Sequence, residues 1–252
     1  MNKKLLVILA HQDDEFGIFN RISSFKDKKN IFVFFMTSGV KQILKPNKKN
    51  YRDIESINVL KKLGVLEKNI FFIGRKLLIK PNQLYLKMNN AYKELFKIVN
   101  SLKGNKIIYT HSLEGGHEDH DACHYLSKKI FNRLKSIYNA YQFPLYHGKN
   151  LPFIFFRVLH SISENGKVFH KKIKFKNKFK FIYFLFFYKS QIKVWIGLYP
   201  FVIFKYFFYK EDNLQIIKKD KTVRRPHSGK LLYEKRGFCK YNKFERKILK
   251  FI

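Results

Sequence analysis

Carboxylates are scarce in this 252-residue chain: 18 Asp and Glu stand against 52 Lys and Arg, a formal charge of +34. Nearly all of the cationic excess is lysine. No arginine-rich stripe, zinc-finger spacing or single-strand-binding signature accompanies it, so nucleic acid is not the expected partner. Lysine beside abundant Phe, Ile, Asn and Tyr is also what an AT-rich coding sequence favours. Compositional drift therefore explains the charge more simply than a polyanionic partner does. Cysteine is nearly absent. Cys123 and Cys239 form no CxxC pair and no disulfide framework, which suits a reducing cytoplasm.

Long uncharged apolar runs are missing as well. The N-terminal run Leu5 to Ala10 is six residues long and leads into an acidic cluster with no small-residue cleavage site before it. A signal peptide needs roughly 7–15 apolar residues there, so the run reads as a retained strand. The most apolar stretch, Phe179 to Tyr209, is broken by Lys189, Gln191, Lys193 and Lys205, which leaves Val194 to Phe204 as its longest uncharged piece. A spanning helix needs ~18–20 such residues. The expectation is a buried helix pair with an aromatic and lysine surface suited to peripheral contact with a membrane, in a protein of the cytoplasm or of the inner face of its membrane. No internal repeat is visible.

What the chain does have is a concentrated cluster, Ala10-His11-Gln12-Asp13-Asp14-Glu15, directly after the aliphatic run Leu5 to Leu9. A short run of that kind is a buried strand of a parallel sheet. The imidazole and carboxylates then sit just past its carboxyl end, where open α/β sheets bind ligands. One His with adjacent acids can hold a metal and leave a carboxylate free to move a proton, provided another ligand arrives from elsewhere. The candidate source is Glu114-Gly115-Gly116-His117-Glu118-Asp119-His120-Asp121-Ala122-Cys123-His124, which follows a strand at 106–110 ending at His111 and opens a helix running to about Leu134.

Between the clusters the pattern predicts a helix over 16–25, a strand over 30–37, a helix over 51–65 stopped by Gly64, a strand over 69–74 and a helix over 84–102. The Lys-rich piece 42–50, with Pro46, reads as a mobile loop near the site. This alternation predicts an α/β fold with a Rossmann-like, mostly parallel sheet covered by helices on both faces. The remainder looks less regular, with a short strand over 142–147, an exposed strand over 171–180 and a strand at Leu231-Leu232-Tyr233. Residues 1–150 are the expected catalytic core, and 151–252 an extension packing on the same domain.

The pairing of AH-x-DDE after the first strand with EGGHxDHxxxH after the fourth resembles the LmbE/PIG-L family of zinc-dependent N-acetylglucosaminyl de-N-acetylases. Arg52-Asp53-Ile54-Glu55, followed by Leu63-Gly64, and Tyr188-Lys189-Ser190-Gln191 are similar to the family's RxxE…LG and YxSQ segments. The resemblance implies that His11, Asp14 and His120 ligate Zn2+, although Fe2+ or another divalent ion suits the same donors. It implies Asp13 as general base, His117 as general acid or oxyanion-stabilising imidazole, and Arg52 at the substrate. Three N/O ligands leave a zinc position for water, whose pKa falls towards about 7. Asp13, next to a ligand, is within reach of that water's proton. Gln12 stands where the family usually has proline, which predicts a freer loop.

Each residue also has a plainer reading. The first cluster resembles a helix N-cap, and His120 with His124 could share a metal on one helix face. Asp119 and Asp121 read either as partners orienting imidazoles or as solvated acids, and Arg52 as an ion pair with Glu55 or Asp53. His111 is a neighbour of the ligands or a loop histidine, His147 a cleft candidate, and His160, His170 and His227 surface or packing residues. The expected activity is removal of an acetyl group from an N-acetylglucosamine-type sugar or glycoconjugate, lipid-linked or anionic, giving acetate and a free amine. The alternatives are an amidase on another small N-acyl substrate, and a basic polyanion- or membrane-surface-binding protein with a non-catalytic zinc.

Overall fold

Strands with no polar alternation need cover on both sides. The computed structural model, which describes residues 3–42, 49–209 and 211–252, supplies it. Strands β1 (Lys4–Leu9), β2 (Ile31–Phe35), β3 (Ile70–Phe72), β4 (Lys106–His111) and β5 (Ile137–Phe143) are all parallel and stand in the order β3-β2-β1-β4-β5. A small antiparallel pair, β6 (Tyr146–His147) and β7 (Arg157–Val158), follows. The C-terminal part extends the main sheet. β8 (Val168–Lys172) pairs antiparallel with β9 (Glu211–Ile216), and β9 pairs antiparallel with β5.

The helices are α1 (Phe19–Ser24), α2 (Tyr51–Lys62), α3 (Ile73–Lys76), α4 (Met88–Ser101), α5 (Glu118–Arg133), α6 (Phe175–Leu185), α7 (Ile192–Trp195), α8 (Tyr199–Phe208), α9 (Leu232–Lys235) and α10 (Tyr241–Leu249). Alternate residues of β1, with Ala10 just beyond it, feed two cores. Leu6, Ile8 and Ala10 pack with Leu95 of α4, Leu126 of α5 and Phe244 of α10. Leu5, Val7 and Leu9 pack with Phe19 of α1, Leu60 of α2, Phe181 of α6 and Val202 of α8. The period-2 side-chain alternation of a strand thus assigns one helix set to each face. Helix α2 begins at a reciprocal capping box between Asn50 and Asp53. It ends where Val65 N–H reaches Leu60 O at 2.9 Å and Gly64 N–H reaches Lys61 O at 2.9 Å, around a left-handed Gly64 (φ 92°).

Several sequence expectations are corrected. The first helix starts late, because Asp14–Ile18 forms a 3-10 turn and only Phe19–Ser24 is α-helical. The strand over 69–74 stops at Phe72, where Ile73 opens a helical turn, and the helix over 84–102 splits into a 3-10 turn, Leu84–Leu86, and α4. The strand expected at 142–147 lies mainly at Ile137–Phe143, masked in the sequence by its half-exposed polar residues. The Lys/Ile/Phe alternation over 171–180 is a strand only to Lys172. From Phe175 the buried positions Lys178, Phe181, Phe184 and Leu185 follow a helical spacing, and that burial wins over the local alternation. Leu231-Leu232-Tyr233 enters the short helix α9 instead of a strand. The expected loop at 42–50 falls mostly on residues 43–48, outside the described residues.

The central strand β1 carries the first site loop and pairs with β4, which carries the second, so its packing is the test of this fold. Ile8→Ala, at a fully buried position, is expected to cost ~2–5 kcal/mol and Ile8→Val ~0.5–1.5 kcal/mol. Urea unfolding reads both as a lower midpoint at unchanged slope.

Candidate metal centre

The strand order runs 3-2-1 to one side and 4-5 to the other, so the crevice above the carboxyl ends of β1 and β4 is the sheet's topological switch point. The two histidine–carboxylate clusters meet there. Asp14 is the junction. Its Oδ2 accepts the His11 backbone N–H at 2.7 Å and lies 3.4 Å from His11 Nδ1, while its Oδ1 lies 3.3 Å from His120 Nε2. His11, Asp14 and His120 are all buried, and their donor atoms fall within 4.8 Å of one another. Two tetrahedral ligand atoms, each ~2.0–2.1 Å from a zinc, are ~3.3–3.4 Å apart, and each of the two histidine nitrogens lies at that distance from one oxygen of Asp14. Neither ring nitrogen of His120 has a hydrogen-bond partner. A buried imidazole left with both nitrogens unsatisfied is costly, and a cation at its Nε2 would relieve half of that cost.

A second triad, His11, His117 and Asp119, is also compact, but its lone pairs are occupied. Asp119 accepts Asn82 N–H at 2.6 Å and Leu84 N–H at 3.0 Å, and lies 3.0 Å from His11 Nε2. His117 Nδ1 accepts the Asp119 amide at 3.1 Å. Asp119 therefore grips His11 by Nε2 and turns Nδ1 towards Asp14, the carboxylate–histidine brace common behind metal ligands. His111, unassigned in sequence, is buried against the same carboxylate, 3.3 Å from Asp14 Oδ2. The Ala10 amide donates to its Nε2 at 2.9 Å, so that lone pair is not offered to a cation. Its ring stacks on His120, centroids 4.2 Å apart and planes 3° from parallel.

Electrostatics sort these groups. Burial drives His120 and His117 down to about 4, so both are neutral near pH 7. Burial also works against charge on His11, yet the carboxylates of Asp14 and Asp119 overcome it and raise its pKa to about 10. For Asp14 burial favours the acid form, but His120, His111 and His11 around it hold the carboxyl well below its usual range.

Asp13 sits apart from this knot, at the accessible edge with His117 and Arg52. Its backbone takes a left-handed φ of 101°, uncommon for a residue with a Cβ. It heads the Asp14–Ile18 turn but makes no side-chain capping bond, so the N-cap reading fails. Instead Arg52 Nη2 donates to Asp13 Oδ1 at 2.7 Å and Trp195 Nε1 to Oδ2 at 3.2 Å. Burial pushes its pKa up to about 6 against the pull of Arg52. Arg52 is committed further, to Gln12 O and, at 2.7 Å, Gly39 O. It pairs with neither Glu55 nor Asp53. Asp53 takes Gln12 Nε2 at 2.7 Å and pairs with Arg75, so the freedom expected at Gln12 is tied down. Glu55 binds the Ser190 amide at 2.8 Å and its hydroxyl at 2.6 Å.

Other residues of the second cluster build the loop. Glu114 accepts the amides of Leu145 and Tyr146 at 2.8 and 2.9 Å, and Asp121 braces the Glu114 and Gly115 amides at 3.1 and 3.2 Å without touching an imidazole. Gly116 is required by contact, since a Cβ there would lie 1.9 Å from Tyr146 O. His124 is buried one helical turn on from His120 and belongs to neither triad. His147 is also buried, its ring 5.7 Å from His160 and 6.5 Å from His227, and exposed His170 meets Asn213 at 2.9 Å. Trp195 is the partner of Asp13 that the sequence did not announce. It lies 182 residues away in a stretch that reads as core.

A family model described as PIG-L, GlcNAc-PI de-N-acetylase, matches residues 6–131. Among solved structures, the zinc-inhibited form of teicoplanin deacetylase Orf2 superposes with a TM-score of 0.62 at 16% identity, covering 88% of this chain and 100% of that one. No curated protein matches the sequence.

Because Asp119 holds His11 by Nε2, Asp119→Asn is expected to weaken zinc binding by about 10–100-fold in a competition titration with a chromophoric chelator. His124→Gln leaves the affinity unchanged. A loss on changing His124 would instead favour the His120–His124 pair.

Proposed function

Because the chain belongs to the PIG-L family, we propose that it is a metal-dependent N-deacetylase acting on an N-acetylglucosamine-type sugar or glycoconjugate, with His11, Asp14 and His120 as ligands. The observation that carries this reading is the meeting of the β1 and β4 loops. It gathers three N/O donors, with His111 held off as a fourth, beside a separately anchored carboxylate. A structural zinc is normally closed by four protein ligands, whereas three leave a position open. A divalent metal bound there, zinc in the first instance, supplies Lewis acidity to the acyl carbonyl and to water.

The remaining work falls to side chains. Asp13 takes a proton from the attacking water as the acetamide carbon is attacked. It returns that proton to the sugar nitrogen when the C–N bond breaks, releasing acetate and the amine. Arg52 and Trp195 hold one carboxylate oxygen each, so Asp13 acts from a fixed position. We give Arg52 this positioning task in place of the substrate contact implied by resemblance, because its two terminal nitrogens are already engaged.

His117 has two tasks on resemblance, and its hydrogen bonding favours one. An amide N–H can only donate, so Nδ1, which accepts it, is unprotonated and the proton of the neutral ring is on Nε2. That N–H is suited to the oxyanion that forms on the carbonyl oxygen. Residues 1–150 form the catalytic core in this reading, and 151–252 an extension that supplies Trp195 to it.

Acetate release by the zinc-loaded protein over a panel of N-acetylated sugars and glycolipids tests the reaction and begins to define the substrate. Asp13→Ala is expected to keep its metal and lose a factor of about 10² or more in rate, and His120→Ala to lose the metal itself. Equal release by wild type and Asp13→Ala would remove Asp13 as the base.

A further inference from the structure

Helices α6 and α8 lie side by side on one face of the sheet, and each is apolar on two sides. Their inner stripe, Phe181, Phe184 and Leu185 with Val202 and Tyr206, is core. Their outer sides carry a second stripe that no described residue covers. On α6 and its C-cap, Phe175, Phe179, Tyr183 and Phe186 recur at intervals of four, four and three, and all are exposed, Phe175 by 74%. On α8, Phe201, Phe204, Phe207 and Phe208 are exposed, Phe208 by 67%. Rings join the two helices into one surface. Phe175 meets Phe179 at 5.1 Å, Phe179 meets Phe207 at 5.5 Å, and Phe204 meets Phe208 at 4.4 Å.

The segment that builds this patch carries charge of one sign, and the carboxylates at its rim are Glu55, on the Ser190 amide and hydroxyl, and Glu211, opposite Lys172. Between Glu164 and Glu211 the chain holds eleven lysines and no carboxylate, and Lys172, Lys174, Lys176, Lys180, Lys189 and Lys193 are exposed. Short helices with outward aromatics among lysines match the chemistry of an anionic bilayer. The rings enter the headgroup boundary, and the lysine stems extend to the phosphates. No helix among the described residues is long and apolar enough to cross a membrane, so such a contact is parallel to the surface.

The patch is also continuous with the metal centre. Tyr199 stacks on exposed Phe186 at 5.7 Å and meets Trp195 at 4.3 Å, and Trp195 donates to Asp13. By a second path, Phe201 meets Phe156 at 5.9 Å, Phe156 meets Tyr146 at 6.0 Å and Tyr146 meets His120 at 5.4 Å. Beside Phe156, the loop residues Phe153, Ile154 and Phe155 are exposed too.

We propose that the outer α6–α8 face is a docking surface for an anionic lipid bilayer, seating the mouth of the metal centre against the membrane. Docking is independent of any hydrolysis. Only its corollary, that the N-acyl substrate reaches the site from the bilayer, rests on the deacetylase reading.

Flotation of the full chain with vesicles of equal parts phosphatidylcholine and phosphatidylglycerol tests it, beside phosphatidylcholine alone. The wild type is expected to float with the anionic vesicles at low salt and to release as salt rises. Phe175→Ser, Phe179→Ser, Phe204→Ser and Phe208→Ser together are expected to lower partitioning by about tenfold or more, as is the triple reversal Lys174→Glu, Lys176→Glu and Lys180→Glu. The matching reversal of exposed lysines on the opposite face of the sheet, Lys243→Glu, Lys247→Glu and Lys250→Glu, is expected to retain binding. All substituted positions are exposed, and circular dichroism melts verify folding. A wild type that stays out of the vesicle layer, or an equal loss from the opposite-face reversal, overturns the proposal. So does a lipid-free dimer in sedimentation that the aromatic variant converts to monomer, since the face would then belong to a second copy. None of these outcomes touches acetate release from a soluble substrate.

Discussion

The carboxylate of Asp14 is where the two halves of the site are joined. A buried charge is tolerated only when it is paired and hydrogen-bonded, and Asp14 meets that requirement at His11. Its own loop contributes the His11 amide and protonated ring, while the β4 side brings His111 and His120 to 3.3 Å from its two oxygens. Neutralising Asp14 would leave three buried imidazoles without their common partner. The surroundings follow from that knot. His11 needs a second carboxylate to fix its ring, His120 must enter from the first turn of α5, and the loop before α5 must close tightly enough to bring it there.

The acids and glycines of the second cluster divide that labour. Asp119 orients His11 and is itself held by two backbone amides. Glu114 and Asp121 belong to neither candidate metal triad. Their carboxylates tie the turn 114–115 and the strand start at 145–146 together, and Gly116 lets Tyr146 O approach where no side chain fits. The shorter fragments prove to be one device. Arg52 and Glu55 share α2. Arg52 holds Asp13, and Glu55 binds Ser190, the start of the segment that delivers Trp195 to the other oxygen of Asp13.

The C-terminal helices serve two environments at once. A helix of ten or eleven residues has room for an inner core stripe and an outer one. In α6 and α8 both are aromatic, so composition alone cannot tell which side is packed. The inner stripe completes the core that also holds Leu5, Val7 and Leu9, and the same packing carries Trp195 to the site.

What the sequence by itself determined is what rests on local chemistry. Unbroken aliphatic runs demanded strands covered on both faces, and a Gly64 past α2 demanded a stop there. The two histidine–carboxylate clusters after strands were legible as parts of one candidate site because strand ends in such sheets converge. Tertiary structure decided what spacing cannot encode. The alternation of Lys with Ile and Phe near 175 read as a strand until core packing selected the helical register. Arg52 looked equally suited to Asp53, Glu55 or a substrate until the fold brought Asp13 to it. On paper His124 could share a metal with His120, and His111 was either a neighbour of the ligands or a loop histidine. The Ala10 amide, arriving from a neighbouring strand, occupies His111, and the turn of α5 carries His124 out of either triad. Partner choice among buried polar groups depends on which residues meet across a hundred or more positions of chain, and only the folded backbone sets those distances.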